Sequence, residues 1–179
     1  MDHRTTQSIT LPSGIVIRPY DSTDDIQAIT SLLHRAYKPL ADMGLRYMAT
    51  HQSAEITRER LESGESFVAL QNSLYIGTIS LYSASHNCEY YKRDGVYHFG
   101  QFGVDPSLQR MGIGREMLKH VEQRAQELHA TEMALDTAQP AVHLIAYYQS
   151  LGYNIVDEVQ WPDVNYRSFI MSKLLSAGL

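Results

Sequence analysis

One stretch of the chain, residues 104–115, combines the residue types of an anion-binding loop. Gly112 and Gly114 let a ligand approach the backbone closely, because neither residue has a Cβ. Arg110 and Arg115 add positive charge beside them. The hydrophobic pattern predicts a strand before this stretch and an amphipathic helix after it. Because the first N–H groups of a helix lack intrahelical partners and carry the positive end of its dipole, this order predicts a site for phosphate or pyrophosphate.

Two familiar phosphate-binding loops are excluded by the residues that follow the glycines. A P-loop requires Lys and then Ser or Thr after its last glycine, whereas Arg115 and Glu116 follow Gly114 here. A dinucleotide-binding G-x-G-x-x-G loop requires a small residue at its last defined position, which is Met117 in this chain. The phosphate therefore belongs to another class of ligand.

The stretch resembles the acyl-CoA loop of the GNAT superfamily of N-acetyltransferases, whose pattern is Q/R-x-x-G-x-G/A. Gln109, Gly112 and Gly114 occupy its three defined positions. Val104 and Pro106 resemble the V-x-P entry to the same loop. The resemblance therefore identifies the expected phosphate ligand as coenzyme A.

Two later segments extend the resemblance over nearly the whole chain, roughly residues 15 to 175. Residues 148–153 resemble the Y-x-x-L-G-F/Y segment of the family, and residues 166–174 resemble its last strand. One position departs from the pattern: Ala141 lies seven residues before Tyr148, where many members carry an Asn that helps to hold the cofactor or the helix start.

The resemblance implies an N-acetyltransferase that uses acetyl-CoA as co-substrate and acetylates a primary amine of a small molecule or peptide. The end of the strand would pair with the pantetheine arm, an amide at or next to Val104 would bind the thioester oxygen, and the loop would hold the pyrophosphate. The residues expected to bind the cofactor are Phe102, Gly103, Val104, Gln109, Arg110, Met111, Gly112, Ile113, Gly114 and Arg115.

Tyr148 matches the general acid of the family. A phenol has a pKa of about 10, so it is protonated at neutral pH and can donate to the departing thiolate. The alternative is that Tyr148 only packs on the sheet. Two other functions also stay open, a non-catalytic acyl-CoA sensor and a transferase of a longer acyl group.

The general base is not identified by the sequence. His98 and Gln101 lie on the strand before the loop, where some family members place a base or a base-held water. His98 is a candidate because an imidazole titrates near neutral pH, although a single His on a strand can equally be a packed residue. His143 is expected to face solvent. The eight histidines show no metal-ligand spacing, so we expect no metal site.

Contacts to the acceptor are expected from two loops, at residues 37–51 and 160–166, and from a tyrosine pair between them. For each residue the alternative is an ordinary surface position. The candidates are Asp42, Arg46, Tyr47, Trp161 and Asp163, with Tyr90 and Tyr91 as a wall of the site.

The elements that must position these residues follow from hydrophobic spacing and turn residues. Pro39 is expected to end the first helix, and Gly152 to end the last. The predicted strands are 15–17, 67–70, 74–82, 96–104, 133–135, 153–161 and 168–174, and the predicted helices are 24–37, 53–62, 113–128 and 141–151.

This order, β-α-α-β-β-β-α-β-α-β-β, predicts an α/β (α+β) fold of the GNAT type. It has a mixed, mainly antiparallel sheet with helices on both faces. We expect an N-terminal lead-in at residues 1–14, with a short extended piece near residues 9–11, and one domain at residues 15–179.

Composition narrows the function further. The 179 residues are 44% hydrophobic and 20% charged, and the net charge of −5 disfavours general binding to nucleic acid. A single cysteine, Cys88, excludes an internal disulfide. No apolar run approaches the roughly 18 residues of a membrane span, and the first residues are polar, so a cytoplasmic location without membrane contact is expected. Many family members are dimers, which makes a homodimer one expectation.

Overall fold

One eight-stranded sheet and four helices make up the part of the chain that is described, residues 8–83 and 88–175 of a computed structural model. Three segments lie outside the described residues: 1–7 of the expected lead-in, 84–87 of the loop after β4, and 176–179 at the C-terminus. The strands are β1 (Ile9–Thr10), β2 (Val16–Pro19), β3 (Glu65–Gln71), β4 (Leu74–Tyr82), β5 (Val96–Val104), β6 (Glu132–Ala138), β7 (Asn154–Val159) and β8 (Ser168–Leu174). The helices are α1 (Ile26–Asp42), α2 (Ala54–Glu62), α3 (Ile113–Glu127) and α4 (Val142–Ser150).

The strand order is β1-β2-β3-β4-β5-β6-β8-β7. Within the described strands, β5 and β6 form the one parallel pair, joined by the crossover through α3, and the other pairs are antiparallel. The predicted fold class is confirmed. The structure adds β1, in which Ile9 pairs with Ile17 of β2, so part of the expected lead-in extends the sheet.

Small residues in the central strands let helices approach both faces of the sheet. A Cβ at Gly77 of β4 would lie 2.6 Å from Met117 Sδ of α3, and a Cβ at Gly103 of β5 would lie 3.1 Å from Ala36 Cβ of α1. Larger side chains at these two positions would separate the helices from the sheet. The expected placement of helices on both faces is confirmed.

The prediction that Pro39 ends the first helix is wrong, because α1 continues through it to Asp42. The stop signal is Gly44, just after the C-cap Met43: its φ is +78°, its N–H bonds Ala41 O (2.8 Å), and the Leu45 N–H bonds Leu40 O (3.0 Å). This is a Schellman motif. Leu40 is buried with Leu45 in a separate apolar cluster, and that burial offsets the hydrogen bond that Pro39 cannot donate.

The predicted end of the last helix is confirmed. Gly152 has a φ of +92°, its N–H bonds Gln149 O (3.0 Å), and the N–H of Tyr153 bonds Tyr148 O (3.1 Å). The rings of Tyr148 and Tyr153 lie 6.1 Å apart, which is the apolar contact typical of this motif. Residues 148–153 are therefore a helix stop that orients Tyr148.

The sheet opens between β5 and β6. The parallel pairing joins residues 96–98 to residues 132–134 and stops there. Beyond that point β5 pairs only with β4, and the register shift on β4 between Thr78 and Ser80 accompanies a bulge at Gln101, whose φ is +49°. Bulges of this kind bend a strand and re-aim its side chains. The separation leaves the outer edge of residues 99–104 free, and we call it the strand gap.

None of the described helices is both long enough and apolar enough to cross a membrane.

Candidate active site

The predicted anion loop lies at the N-terminus of α3, which is 15 residues long. Its N-cap is Gly112, with a φ of +83° and no side-chain cap. The N–H groups of the first helical residues, Ile113, Gly114 and Arg115, therefore have no intrahelical partner. Arg110 also has a left-handed backbone, with a φ of +64°. These features give an uncapped positive helix end whose donors are free for an anion.

Side chains of the same loop hold it to the end of β5. Gln109 Nε2 donates to Val104 O at 3.2 Å. Asp105 accepts from the Ser107 N–H at 3.0 Å and pairs with Arg35 of α1 at 2.8 Å. The structure thus gives Gln109 a positioning contact, while Arg110, Met111 and Arg115 are exposed around the helix start.

Gly114 lies against the end of the strand, and a larger residue would not fit easily. A Cβ there would lie 3.3 Å from Phe102 Cζ, 3.5 Å from Val104 Cγ2 and 3.6 Å from the hydroxyl of Tyr147. Tyr147 is thereby placed at the loop, although the sequence analysis assigned it no role. The expected cofactor residues of β5 and of the loop extend from the free edge of the strand to the start of α3.

Tyr148 is buried on α4, facing the strand gap. Its ring lies 5.9 Å from that of Phe99 and 5.2 Å from that of Tyr147. Burial raises the pKa of Tyr148 well above its ordinary value, and the neighbouring Tyr37 raises it further. The phenol is therefore neutral, and it makes no hydrogen bond to any described residue.

His98, the last residue of β5 that pairs with β6, is enclosed by two tyrosines. Its ring stacks on Tyr91 at 4.1 Å and lies 5.2 Å from the ring of Tyr82. Burial lowers the pKa of His98 to about 4, opposed by a hydrogen bond to the Ser83 backbone. Nδ1 is buried without a partner. The imidazole is neutral at pH 7 and accepts a proton only weakly.

Gln101 is engaged in contacts with α2 and the turn before it. Its Oε1 accepts from Gln52 Nε2 at 3.1 Å, and its Nε2 donates to Thr57 O at 3.4 Å. These buried contacts support the bulge of β5 and tie both polar atoms of the side chain to α2 and the turn before it.

Asp136 is an acidic side chain at the gap that the sequence analysis missed. It lies on β6, two residues beyond the last pair with β5. Trp161 Nε1 donates to Oδ2 at 2.9 Å, and the hydroxyl of Tyr91 donates to Oδ1 at 3.3 Å. Burial raises the pKa of Asp136, opposed by these hydrogen bonds, by the Ser168 hydroxyl and by the charge of Arg60. The sequence signal that could have identified it is a single acidic residue, Asp136, among the otherwise uncharged residues 133–138.

Three further tyrosines form a wall beside Asp136. Tyr47 lies 5.6 Å from Tyr37 and 4.8 Å from Tyr166, ring to ring. The Tyr47 hydroxyl accepts the N–H of Ala138 at 2.8 Å, which joins the loop after α1 to β6. Of the predicted acceptor contacts, the structure brings Tyr47, Tyr91 and Trp161 together around this carboxylate.

The other predicted contacts lie elsewhere. Asp42 pairs with Lys38 at 2.7 Å on the surface of α1, and Tyr90 bonds Glu132. Arg46, Asp163 and His143 are exposed. Within residues 8–83 and 88–175, no group of three His, Cys, Asp or Glu side chains could hold a metal ion.

Comparison with known proteins agrees with this geometry. A family model described as "Acetyltransferase (GNAT) family" matches residues 26–153. The S-(2-succino)cysteine N-acetyltransferase of Bacillus subtilis (strain 168) is 28% identical over 134 residues, which cover 72% of this chain and 78% of that protein.

Solved structures show the same fold. The ribosomal-protein-S18-alanine N-acetyltransferase from Escherichia coli has a TM-score of 0.68 at 20% identity, covering 90% of this chain and 94% of that chain. A GNAT family acetyltransferase from Elizabethkingia anophelis with acetyl-CoA bound has a TM-score of 0.66 at 21% identity, covering 90% and 98%. With the family model matching most of its length, this chain belongs to the acetyltransferase (GNAT) family.

Proposed function

We propose that this acetyl-CoA-dependent acyltransferase acetylates the primary amine of a small molecule, with Tyr148 as general acid. One observation carries the proposal: the free edge of β5 leads directly into the uncapped N-terminus of α3. A free strand edge can pair with the amides of a pantetheine arm, and the helix end can bind the pyrophosphate. The two surfaces together match the two chemical parts of coenzyme A.

The cofactor residues of the proposal are those of the strand end and the loop. Residues 102–104 offer the strand edge, with an N–H at or next to Val104 bonding the thioester oxygen. The loop offers the N–H groups of residues 110–115 and the charges of Arg110 and Arg115. Gln109 keeps the loop against Val104 through its hydrogen bond.

The reaction requires a proton donor for sulfur. Bound acetyl-CoA supplies the thioester carbon that the amine attacks. Tyr148 donates its phenolic proton to sulfur as the carbon–sulfur bond breaks and the carbon–nitrogen bond forms, and it regains a proton from the nitrogen or from solvent. The raised pKa of Tyr148 keeps the hydroxyl protonated in the resting enzyme, so a proton is present when the thiolate departs.

The sequence does not identify the general base, and His98 stays a candidate for it. Its ring borders the gap and stacks on Tyr91, which bonds Asp136. A pKa lowered to about 4 makes this imidazole a weak acceptor of an ammonium proton. A carboxylate at the gap is therefore needed as a second group that can accept the proton of the amine.

A small acceptor is supported by the 28% identical relative, which is named for a cysteine derivative. Trp161 and Tyr91 bond Asp136, and the nearby rings of Tyr37, Tyr47 and Tyr166 pack on one another at 4.8 and 5.6 Å. Such an enclosure suits a compact amine.

The test is a thiol-release assay with acetyl-CoA and a panel of amino acids, polyamines, aminoglycosides and peptides. We expect calorimetric binding of acetyl-CoA and thiol release with at least one small amine. Binding without release for every amine would instead indicate a non-catalytic sensor. Faster release from succinyl-CoA than from acetyl-CoA would indicate transfer of a longer acyl group.

A further inference from the structure

The carboxylate of Asp136 has no positively charged partner in the described part of the chain. Its hydrogen bonds come from the neutral donors Trp161 and Tyr91, and the neutral Ser168 hydroxyl lies beside it. A largely buried carboxylate is costly unless a cation or several hydrogen bonds compensate for its lost hydration. Neutral donors alone supply no opposite charge to this carboxylate. Asp136 therefore has the environment of a group that receives its cation from a ligand.

Arg60 of α2 is the converse case, a cation without an anionic partner among the described residues. Its Nη1 donates to Gln52 Oε1 at 2.6 Å, and no carboxylate within residues 8–83 and 88–175 pairs with it. Gln52 in turn donates to Gln101 at the bulge of β5, so a chain of two hydrogen bonds ties the guanidinium to the strand gap. Arg60 is partly buried and has further donors free for an anion.

The two charges act on the same space without touching. The same aromatic side chains contact both residues: the Tyr82 hydroxyl donates to Arg60 O at 3.0 Å, and the Tyr82 ring lies 5.2 Å from that of His98. His98 stacks on Tyr91, which donates to Asp136. The two side chains nevertheless form no ion pair with each other. An anion and a cation that face one gap and are separated from each other match a ligand that carries both charges.

We propose that Asp136 binds the ammonium group of the acceptor and Arg60 binds its carboxylate, so that the acceptor is a free amino acid or a small amino acid derivative. The inference rests on the proposed function. A guanidinium binds a carboxylate through two parallel N–H bonds, and the aromatic wall favours an ammonium group through its ring faces.

Asp136 also accepts the proton that makes the amine reactive. One proton moves from the ammonium nitrogen to the carboxylate, which leaves a neutral amine and a neutral carboxylic acid. The nitrogen lone pair then forms the new bond to the thioester carbon, and the proton on Asp136 passes to solvent after the product leaves. The balance needs no other reactant than the amino acid and acetyl-CoA.

Other amine classes fit the two charges less well. A polyamine would place a second cation beside Arg60, which is unfavourable. A peptide N-terminus has an amide where an amino acid has its carboxylate, so Arg60 would stay unpaired. These classes are the alternatives that the experiment separates.

The first test compares Arg60→Gln with Arg58→Gln, a control on the same helix. Each is assayed with the best amino acid of the panel and with the amide of that amino acid. We expect Arg60→Gln to reduce kcat/KM for the free acid by roughly 10- to 100-fold, the loss of hydrogen bonds to a charged group, and to leave the amide nearly unchanged. Equal effects on acid and amide would overturn the assignment, since a purely structural role of Arg60 cannot distinguish them.

The second test compares Asp136→Asn with Asp157→Asn, a control on the exposed strand β7. Asp136→Asn should reduce kcat/KM for every amine by roughly 100-fold while the calorimetric Kd for acetyl-CoA stays unchanged. An unchanged rate would overturn the role of Asp136. A loss of acetyl-CoA binding in this variant would also overturn it, because the effect would then be structural.

The panel separates this inference from the proposed function. Acetylation of polyamines or peptides, with amino acids inert, would refute the inference and leave the acetyltransferase intact. The absence of any acetylation would refute the proposed function, and the inference would fail with it.

Discussion

Burial sets the protonation state of the ionisable side chains at the strand gap. It raises the pKa of Tyr148 and of Asp136, and it lowers the pKa of His98 to about 4. The same desolvation thus keeps a proton on the phenol, strengthens the carboxylate as a proton acceptor and weakens the imidazole. At the scale of single residues, this division favours Tyr148 as the acid and Asp136 over His98 as the base.

Removing the hydroxyl of Tyr148 tests its role as acid. Tyr148→Phe should lower kcat by roughly 100-fold, the usual contribution of a general acid, and leave the Kd for acetyl-CoA unchanged. Because its pKa is raised, the wild-type enzyme should show no alkaline loss of kcat attributable to this group up to about pH 9. Tyr147→Phe is the matched control, since its hydroxyl lies at the loop. A larger loss of kcat in the control would transfer the role to Tyr147.

The lowered pKa of His98 predicts a dependence of stability on pH. The unfolded state binds a proton at this His near pH 6.5, whereas the folded state does so only near pH 4. The free energy of unfolding is therefore highest above pH 6.5 and falls as the pH decreases toward 4, by about 3 kcal/mol for this group. Urea unfolding at several pH values should show this loss in the wild type and a smaller one in His98→Gln.

His143→Gln provides the control for that measurement, because it removes an exposed His from α4. His120, whose pKa is also lowered by burial, is present in all three proteins and cancels in the comparison. Identical pH profiles for wild type and His98→Gln would contradict the assignment.

At the scale of elements, the junction of β5, the loop and α3 depends on backbone conformation. Arg110 and Gly112 are both left-handed, with φ values of +64° and +83°. Only glycine adopts this conformation without strain from Cβ. The loop therefore owes its shape to Gly112 and its attachment to Gln109, whose amide bonds Val104 O.

A valine at position 112 should impair cofactor binding through strain alone. No atom lies within 4 Å of a Cβ built on Gly112, so the space is free and only the conformation is disturbed. A left-handed valine costs roughly 1–2 kcal/mol or more. If the loop relaxes to avoid this strain, the cofactor must return it to the strained conformation on binding, and the binding free energy is reduced by that amount. The calorimetric Kd for acetyl-CoA should rise roughly tenfold.

Gly14→Val is the matched control, with a φ of +77° and equally free space, in the turn between β1 and β2. It should destabilise the fold to a similar extent and leave the Kd unchanged. An unchanged Kd in Gly112→Val would refute the assignment of the loop to the cofactor.

At the scale of the whole molecule, two parts of the sheet meet at a short contact. Three residue pairs, from 96–98 and 132–134, connect β5 to β6. In the proposed function, acetyl-CoA binds at the separation beyond these pairs, between β5 and α4. Its binding should therefore stabilise the junction of the two parts. The expected homodimer and cytoplasmic location stay predictions.

Acetyl-CoA should raise the Tm of the protein by mass action. At a ligand concentration of 100 times Kd, the stabilisation is about 2.7 kcal/mol. For a chain of this size, that corresponds to a shift of roughly 5–10 °C in differential scanning calorimetry. Acetyl-pantetheine lacks the pyrophosphate and should give a smaller shift at the same concentration. Equal shifts for both ligands would show that the helix end does not bind phosphate.

The sequence by itself determined the features that depend on neighbours along the chain. Gly112 before an amphipathic helix, and Gly152 after Tyr148, have a local physical cause, since helix ends are set by the few residues around them. The order of elements then predicted the GNAT fold. These local signals also predicted the surface for the donor, because strand, loop and helix are consecutive.

Only the tertiary structure decided the features that depend on distant contacts. Pro39 stays inside α1 because Leu40 packs with residues far along the chain. Asp136 and Arg60 come near the same tyrosine and histidine rings only because β6 and α2, far apart in sequence, both contact them. Their importance comes from burial and from missing partners, and neither property is encoded in a local pattern. The acceptor site is therefore a product of packing, whereas the donor site follows from residues adjacent in sequence.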